Sequence, residues 1–300
     1  MRIALIGAVE GSLWALRAMI DAGSPPVVVA TLAPDLSKRH SDFVDLAPLA
    51  REHGIPVVHV RNINEPEAIA AIGAEKPDYI FVVGWSQICG PEFRQLAPER
   101  IIGYHPTALP RMRGRAALPW TILNDEKITG GTLFWVDEGV DSGDILEQRF
   151  FHIAPRETAR TLYEKHMQAL DSMIRASIRS LASDAPPRTK QDETCATYAA
   201  KRGPEDGRID WSASAKDIDR LIRAVGKPYP GAFTSHAGKR LVIWQAVPIA
   251  DHAHHAITGQ VVSLGDGHFD VITGNGMLRV EEWEGEDIPS IRNHIVLGQS

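Results

Sequence analysis

Short apolar runs alternate with helical patterns through the first part of the chain. Residues 2–6, 27–30, 57–60, 79–83 and 101–104 each read as a short buried strand. The stretches between them, 12–22, 45–53, 65–72 and 90–96, carry the spacing of helices. Such alternation predicts a parallel sheet covered by helices on both faces. Residues 130–136 and 148–153 add two strands. Residues 158–180 form a long amphipathic helix, with Leu162, His166, Leu170 and Ile174 at four-residue spacing along one stripe.

The pattern then changes. Proline, glycine and charge without hydrophobic period mark residues 184–206 as a linker between a first domain, 1–183, and a second, 207–300. The second domain opens with a helix over 212–225, with Ser212 or Ser214 as N-cap and Pro228 and Pro230 soon after its end. Apolar runs at 233–235, 241–245, 259–263, 268–272 and 277–283, separated by glycine turns, predict a small β-barrel.

Composition narrows the function classes. The chain has 300 residues, 44% hydrophobic and 23% charged, the range of a soluble globular protein. Its apolar runs fall well short of the ~18 residues that span a bilayer, so no membrane partner is expected. Met1–Gly7 enters a strand directly, without the apolar core of a signal peptide, and the two cysteines, Cys89 and Cys195, form no CxxC motif. Both features point to the cytoplasm. A net charge of −6 argues against an extended nucleic-acid surface.

Two runs carry candidate chemistry. Gly103-Tyr104-His105-Pro106 sets a histidine at a strand's carboxyl end, where open α/β sheets place their ligand crevices. Gly103 and His105 share a face of that strand and Tyr104 points to the other. About thirty residues later Asp137–Gly143 is a glycine-flanked loop that aims Asp141 inward, with Asp144 a competing carboxylate. A histidine tuned by a carboxylate handles protons near neutral pH. The turn Gly7-Ala8-Val9-Glu10-Gly11-Ser12 is neither GxGxxG nor a P-loop, yet its amides at Gly11 and Ser12 are suited to an anionic part of a substrate. The cluster Asp251-His252-Ala253-His254-His255 lacks the helical spacing of a zinc site, and no metal is expected.

At these residues the chain resembles the folate-dependent formyltransferases. His105-Pro106-Thr107-Ala108-Leu109-Pro110, Arg113-Gly114, Trp120, Thr129-Gly130 and Asp141-Ser142-Gly143-Asp144-Ile145-Leu146 carry the resemblance in the first domain. Gly207–Ser212, Arg223-Ala224-Val225 and Tyr229–Phe233 extend it into the second. The resemblance implies an α/β fold with a Rossmann-like parallel-sheet catalytic domain followed by a small C-terminal β-barrel of OB-like type. It also implies direct transfer of a formyl group from N10-formyltetrahydrofolate to an amine, without an acyl-enzyme. His105 would move protons or stabilise the oxyanion, and Asp141 would orient it. Trp85, Ser86, Gln87, Ile88 and Cys89 would line the pterin pocket with Val136, Asp137, Gly139 and Val140. Thr107, Arg113 and Arg115, with Gly11 and Ser12, are the candidate acceptor contacts. The departure is Gly103: the family's pattern is Asn-x-His, with the Asn donating to the formyl oxygen.

The acceptor is expected to be a small-molecule amine, and a nucleotide-linked amino sugar is the leading class. The tRNA branch carries a long basic insertion, whereas residues 33–42 are short and mixed in charge. Methionyl-tRNA formyl transfer is the alternative, and a non-catalytic or altered folate-binding protein, suggested by Gly103, is another. The sequence also admits a homodimer.

Overall fold

The computed structural model describes residues 1–39, 42–183, 185–250, 254–286 and 288–299. In chain order its first strands and helices are β1 (Ile3–Ile6), α1 (Glu10–Asp21), β2 (Val28–Leu32), α2 (Ala47–Glu52), β3 (Val57–Val60), α3 (Pro66–Gly73), β4 (Tyr79–Val82), α4 (Pro91–Arg94) and β5 (Ile101–His105). There follow β6 (Arg113–Gly114), α5 (Ala117–Leu123), β7 (Ile128–Trp135), β8 (Ile145–His152), α6 (Ala159–Leu181) and β9 (Tyr198–Ala199). The last group is α7 (Ala215–Val225), β10 (Ala232–His236), β11 (Lys239–Ile249), β12 (Val261–Gly265), β13 (His268–Ile272) and β14 (Met277–Glu284).

Seven strands form one sheet in the order β3-β2-β1-β4-β5-β7-β8. The first five run parallel; β7 turns antiparallel against β5, and β8 against β7. All residues of β1, β2 and β4 are buried, as expected for strands covered on both faces. Because β1 lies between β2 and β4, the strand order reverses there, and ligand crevices form outside the carboxyl ends of such strands. The predicted stripe of α6 is fully inside: Leu162, His166, Leu170 and Ile174 are all 0% exposed. Each buried leucine or isoleucine contributes about 1.5–3 kcal/mol, so tertiary packing rather than propensity holds this helix.

Packing divides the chain into two units. One comprises Met1–Ala117, Ile128–His152 and Tyr163–Ala200; the other Leu118–Lys127, Ile153–Leu162 and Lys201–Ser300. Two short segments from the first sequence region therefore group with the second unit, and most of the expected linker groups with the first. The cause is visible at β6 and β9, which pair in parallel, Arg113 with Tyr198 and Gly114 with Ala199. Within the second unit α7 is capped by Ser214, whose hydroxyl accepts the Asp217 amide at 3.2 Å. The predicted C-terminal β-structure is a five-stranded antiparallel sheet in the order β10-β11-β14-β13-β12. No helix among the described residues is long and apolar enough to cross a membrane.

Candidate active site

His105 ends β5 because the following Pro106 has no N–H for the ladder. It is 5% exposed. Its Nε2 lies 2.7 Å from the Met112 carbonyl oxygen, which can only accept, so Nε2 carries a proton. Nδ1 is then the nitrogen left for exchange, and Asp141 Oδ2 stands 3.4 Å from it. The same oxygen accepts the Gly114 amide at 2.8 Å. Of the two carboxylates the sequence left open, Asp141 is therefore the one beside the imidazole.

The loop that presents Asp141 is fastened from several sides. Asp141 itself has a left-handed backbone, φ 51°. Gln191 donates to the carbonyls of Asp141 and Gly143 at 2.8 and 2.7 Å. A Cβ on Gly143 would come within 1.7 Å of the Trp135 carbonyl oxygen, so only glycine fits there. Asp137 accepts from the Gly139 amide at 3.0 Å and the Ser142 hydroxyl at 2.9 Å, closing the start of the loop.

Arg113 is 1% exposed and its guanidinium is turned inward. It forks onto Glu193 at 2.7 and 3.0 Å, onto Gln191 at 2.8 and 3.1 Å and onto the Tyr198 hydroxyl at 3.2 Å. Those hydrogen bonds to Glu193 raise its pKa above the usual arginine value and lower that of the carboxylate. Through Gln191 the cation braces the Asp141 loop, which is a positioning role. Arg111 and Arg115 face solvent. Of the expected acceptor contacts Arg113 is thus engaged internally, with positive φ at Met112, Gly114 and Ala116 around it. Thr107 is also internal, 0% exposed, with its hydroxyl donating to the Arg111 carbonyl at 2.7 Å.

On the opposite face of β5, Tyr104 Oη lies 3.0 Å from His166 Nδ1. Burial, with His105 adding to it, pushes the His166 pKa down to about 3, so this imidazole is neutral and accepts the phenol proton. Burial likewise raises the Tyr104 pKa.

Gly103 is filled from across the ladder. It pairs with Phe134, and a Cβ built on it would lie 2.7 Å from Phe134 Cζ and 2.8 Å from Cε1. The face carrying His105 thus has an aromatic wall at the position where the family pattern puts a donor.

The glycine turn after β1 is occupied by its own fold. Gly7 donates to Ala30 O, Val9 to Ser12 Oγ, Glu10 to Asp42 O, Gly11 to Tyr163 Oη and Ser12 to Val9 O. Ser12 is fully buried and its hydroxyl donates to Val83 O at 2.6 Å, tying the start of α1 to the end of β4. These atoms are engaged internally, in contrast to the substrate contacts expected at Gly11 and Ser12.

A cavity of about 630 Å³ in the first unit is lined by Arg94, Gln95, Ile101, Trp135, Val136 and Asp137, among others. It gathers Val136 and Asp137 from the expected pterin set; Trp85, Ser86, Gln87, Ile88, Cys89, Gly139 and Val140 lie outside its lining. Ile88 and Val140 are open to solvent, 74% and 52% exposed, one on each predicted loop. Gln87 braces the 85–90 segment, accepting the Ile63 amide at 3.0 Å and donating to Arg61 O at 2.8 Å. Arg94 donates to Cys89 O at 3.0 Å. Trp85 is half-buried against the sheet core, and Ser86 is exposed.

Burial pushes the Cys89 thiol up to about 11, against a lowering by Arg94. It therefore stays protonated at pH 8 and poorly nucleophilic. Iodoacetamide at that pH is expected to label exposed Cys195 in the native chain and both cysteines after denaturation, read by peptide mass spectrometry. Labelling of native Cys89 at the rate of Cys195 would contradict this burial. Among the described residues no group of three or more metal-ligating side chains is present. Asp251, His252 and Ala253 of the noted cluster lie outside the described residues.

The site groups that the sequence motifs missed are two backbone groups, Met112 O and the Gly114 amide, and the side chain of Gln191. Gly114 alone left a signal, since its φ of 104° requires glycine.

Comparison with known proteins gives the family. Residues 22–177 match the family described as Formyl transferase, and residues 201–293 the family described as Formyl transferase, C-terminal domain. A methionyl-tRNA formyltransferase of Desulforamulus reducens is 33% identical over 285 residues, covering 94% of this chain and 89% of its own. Among solved structures, the N-formyltransferase of Helicobacter canadensis, in complex with folinic acid and dTDP-3-aminofucose, shares the fold at TM-score 0.68. It is 18% identical, with 95% of this chain and 100% of that one covered. HypX of Aquifex aeolicus, in complex with tetrahydrofolic acid, matches at TM-score 0.66 and 20% identity over 96% of this chain. The present chain spans only 44% of the length of HypX. With both domain types matched in order and a relative aligned over nearly its whole length, the chain belongs to the formyl transferase family.

Proposed function

We propose that the chain transfers a formyl group from N10-formyltetrahydrofolate to the primary amine of a small, nucleotide-linked amino sugar. The observation that carries this reading is His105 Nδ1 beside Asp141 at the carboxyl end of β5, with Nε2 anchored on Met112 O. The amine nitrogen attacks the formyl carbon, its surplus proton passes to Nδ1, and the C–N10 bond breaks as N10 takes a proton. Formamide and tetrahydrofolate result. The carboxylate of Asp141 stabilises the imidazolium formed on the way and keeps the ring oriented. The position at Gly103 supplies no side-chain donor to the carbonyl oxygen. Loss of one such donor lowers rates by about 10²–10³-fold, so turnover slower by that order than in a site with the donor is expected.

The donor is supported by the tetrahydrofolate and folinic acid bound in HypX and the Helicobacter enzyme, and the acceptor class by the dTDP-3-aminofucose in the latter. The relative from Desulforamulus reducens favours a second reading, formylation of methionyl-tRNA. The net charge of −6 and the short stretch 33–42 weigh against a tRNA surface. The deciding experiment offers carbon-labelled formyl donor with a panel of nucleotide-linked amino sugars or with methionyl-tRNA, and reads the products by mass spectrometry. Label in an amino sugar and none in the tRNA is expected. Label in methionyl-tRNA alone would establish the second reading instead.

A further inference from the structure

Two residues with left-handed backbones present the groups on either side of the His105 ring: Met112 at φ 55° and Asp141 at φ 51°. Neither is glycine, so each conformation persists only where its surroundings hold it. Met112 offers the carbonyl that takes His105 Nε2–H, and Asp141 the carboxylate beside Nδ1. Both are tied to one stretch of the first unit, residues 187–199, inside the expected linker. Gln191 fastens the Asp141 side, and just before it Thr189 and Ile145 exchange backbone hydrogen bonds at 2.7 and 3.0 Å.

Thr197 fastens the Met112 side. Its hydroxyl accepts the Met112 amide at 2.8 Å, and its carbonyl accepts the Arg113 amide at 2.9 Å. The Arg113 N–H and the Met112 carbonyl belong to one planar peptide group, so fixing one end aims the other at the imidazole. Thr197 also donates its own amide to Pro110 O at 3.3 Å, and two residues on Arg115 donates to Ala199 O at 3.0 Å.

This hold decides where the ring carries its proton. A carboxylate 3.4 Å from Nδ1 favours a proton on that nitrogen, and the Met112 carbonyl opposes it by taking Nε2–H. Only a free Nδ1 can receive the proton of an attacking amine. We propose that Thr197 is a positioning residue for formyl transfer, fixing the His105 tautomer through the Met112 peptide. The inference rests on His105 being the proton acceptor of the proposed function.

Thr197→Val keeps the shape of this exposed side chain and removes the acceptor for Met112 N–H. Thr197→Ser keeps the acceptor. The valine variant is expected to lower kcat about tenfold with KM for the donor unchanged, and the serine variant to stay near the wild type. In a His105→Ala background Thr197→Val should change the residual rate by less than about twofold, because a residue acting through His105 has nothing left to position. Nitrogen resonances of the histidine-labelled full chain, with His105 assigned by His105→Ala, read the tautomer at pH 8 without donor or amine. They are expected to show Nε2–H in the wild type and a shift toward Nδ1–H in Thr197→Val. Unmoved resonances or a wild-type kcat in Thr197→Val would overturn the proposal. An equal loss with and without His105 would also overturn it, as the mark of a general folding defect. If the wild type formylates no amine, the functional reading fails, and the resonances alone decide whether Thr197 sets the tautomer.

Discussion

Replacing His105 by alanine is expected to lower formyl transfer by about 10²–10⁴-fold while leaving tetrahydrofolate binding intact. The imidazole contributes one exchangeable nitrogen, Nδ1, because Nε2–H is committed to Met112 O at 2.7 Å. Removing it also deletes that hydrogen bond, a stability loss of about 1 kcal/mol that a melting curve resolves from the kinetic effect. Asp141→Asn is the companion variant. The shorter change keeps an acceptor for the Gly114 amide and removes the charge beside Nδ1. A fall in kcat with an unchanged KM for the donor marks a chemical rather than a folding defect. If either variant turned over at the wild-type rate, His105 and Asp141 would not be the proton-handling pair.

Gly103→Asn, which would restore the family's donor, is expected to destabilise the chain by about 1–3 kcal/mol and to leave activity no higher. The new Cβ meets Phe134 Cζ at 2.7 Å, Cε1 at 2.8 Å and Val136 Cγ2 at 3.3 Å. Phe134 is 6% exposed and held opposite Gly103 in the ladder, so the ring cannot step aside cheaply. Phe134→Ala alone opens a cavity and costs about 3–5 kcal/mol. The two changes share one space, so the double variant should melt above the temperature their separate effects predict. An asparagine freed of the ring would also raise kcat over Phe134→Ala alone. Wild-type melting by Gly103→Asn would show that the two positions are not coupled.

The strand–helix alternation was legible because parallel strands buried on both faces leave continuous apolar runs, as in β1, β2 and β4. The α6 stripe and the five strands of the C-terminal sheet were legible for the same reason, a hydrophobic period fixed by burial. Strand direction was not: β7 runs antiparallel to β5, and nothing in its own composition encodes that. The segment 184–206 has the proline and charge of a linker, yet Gln191, Glu193 and Tyr198 surround Arg113 and β9 pairs with β6. Polar residues that bind one buried guanidinium some eighty positions away show no local period. At the site, side-chain identities pointed to His105 and Asp141, whereas the braces are the Met112 carbonyl, the Gly114 amide and the distant side chain of Gln191, whose roles depend on tertiary placement. The same limit explains Gly103: its absent side chain was plain, and the phenyl ring occupying that space was not.

Amine-dependent consumption of N10-formyltetrahydrofolate by the purified chain tests the central claim most directly, with labelled donor and the products followed by mass spectrometry. The account predicts that tetrahydrofolate appears only when an acceptor amine is present, in equal amount to a labelled formamide, and that His105→Ala lowers both together by the same factor. Equal donor consumption without any amine, or formamide production undiminished in His105→Ala, would contradict it.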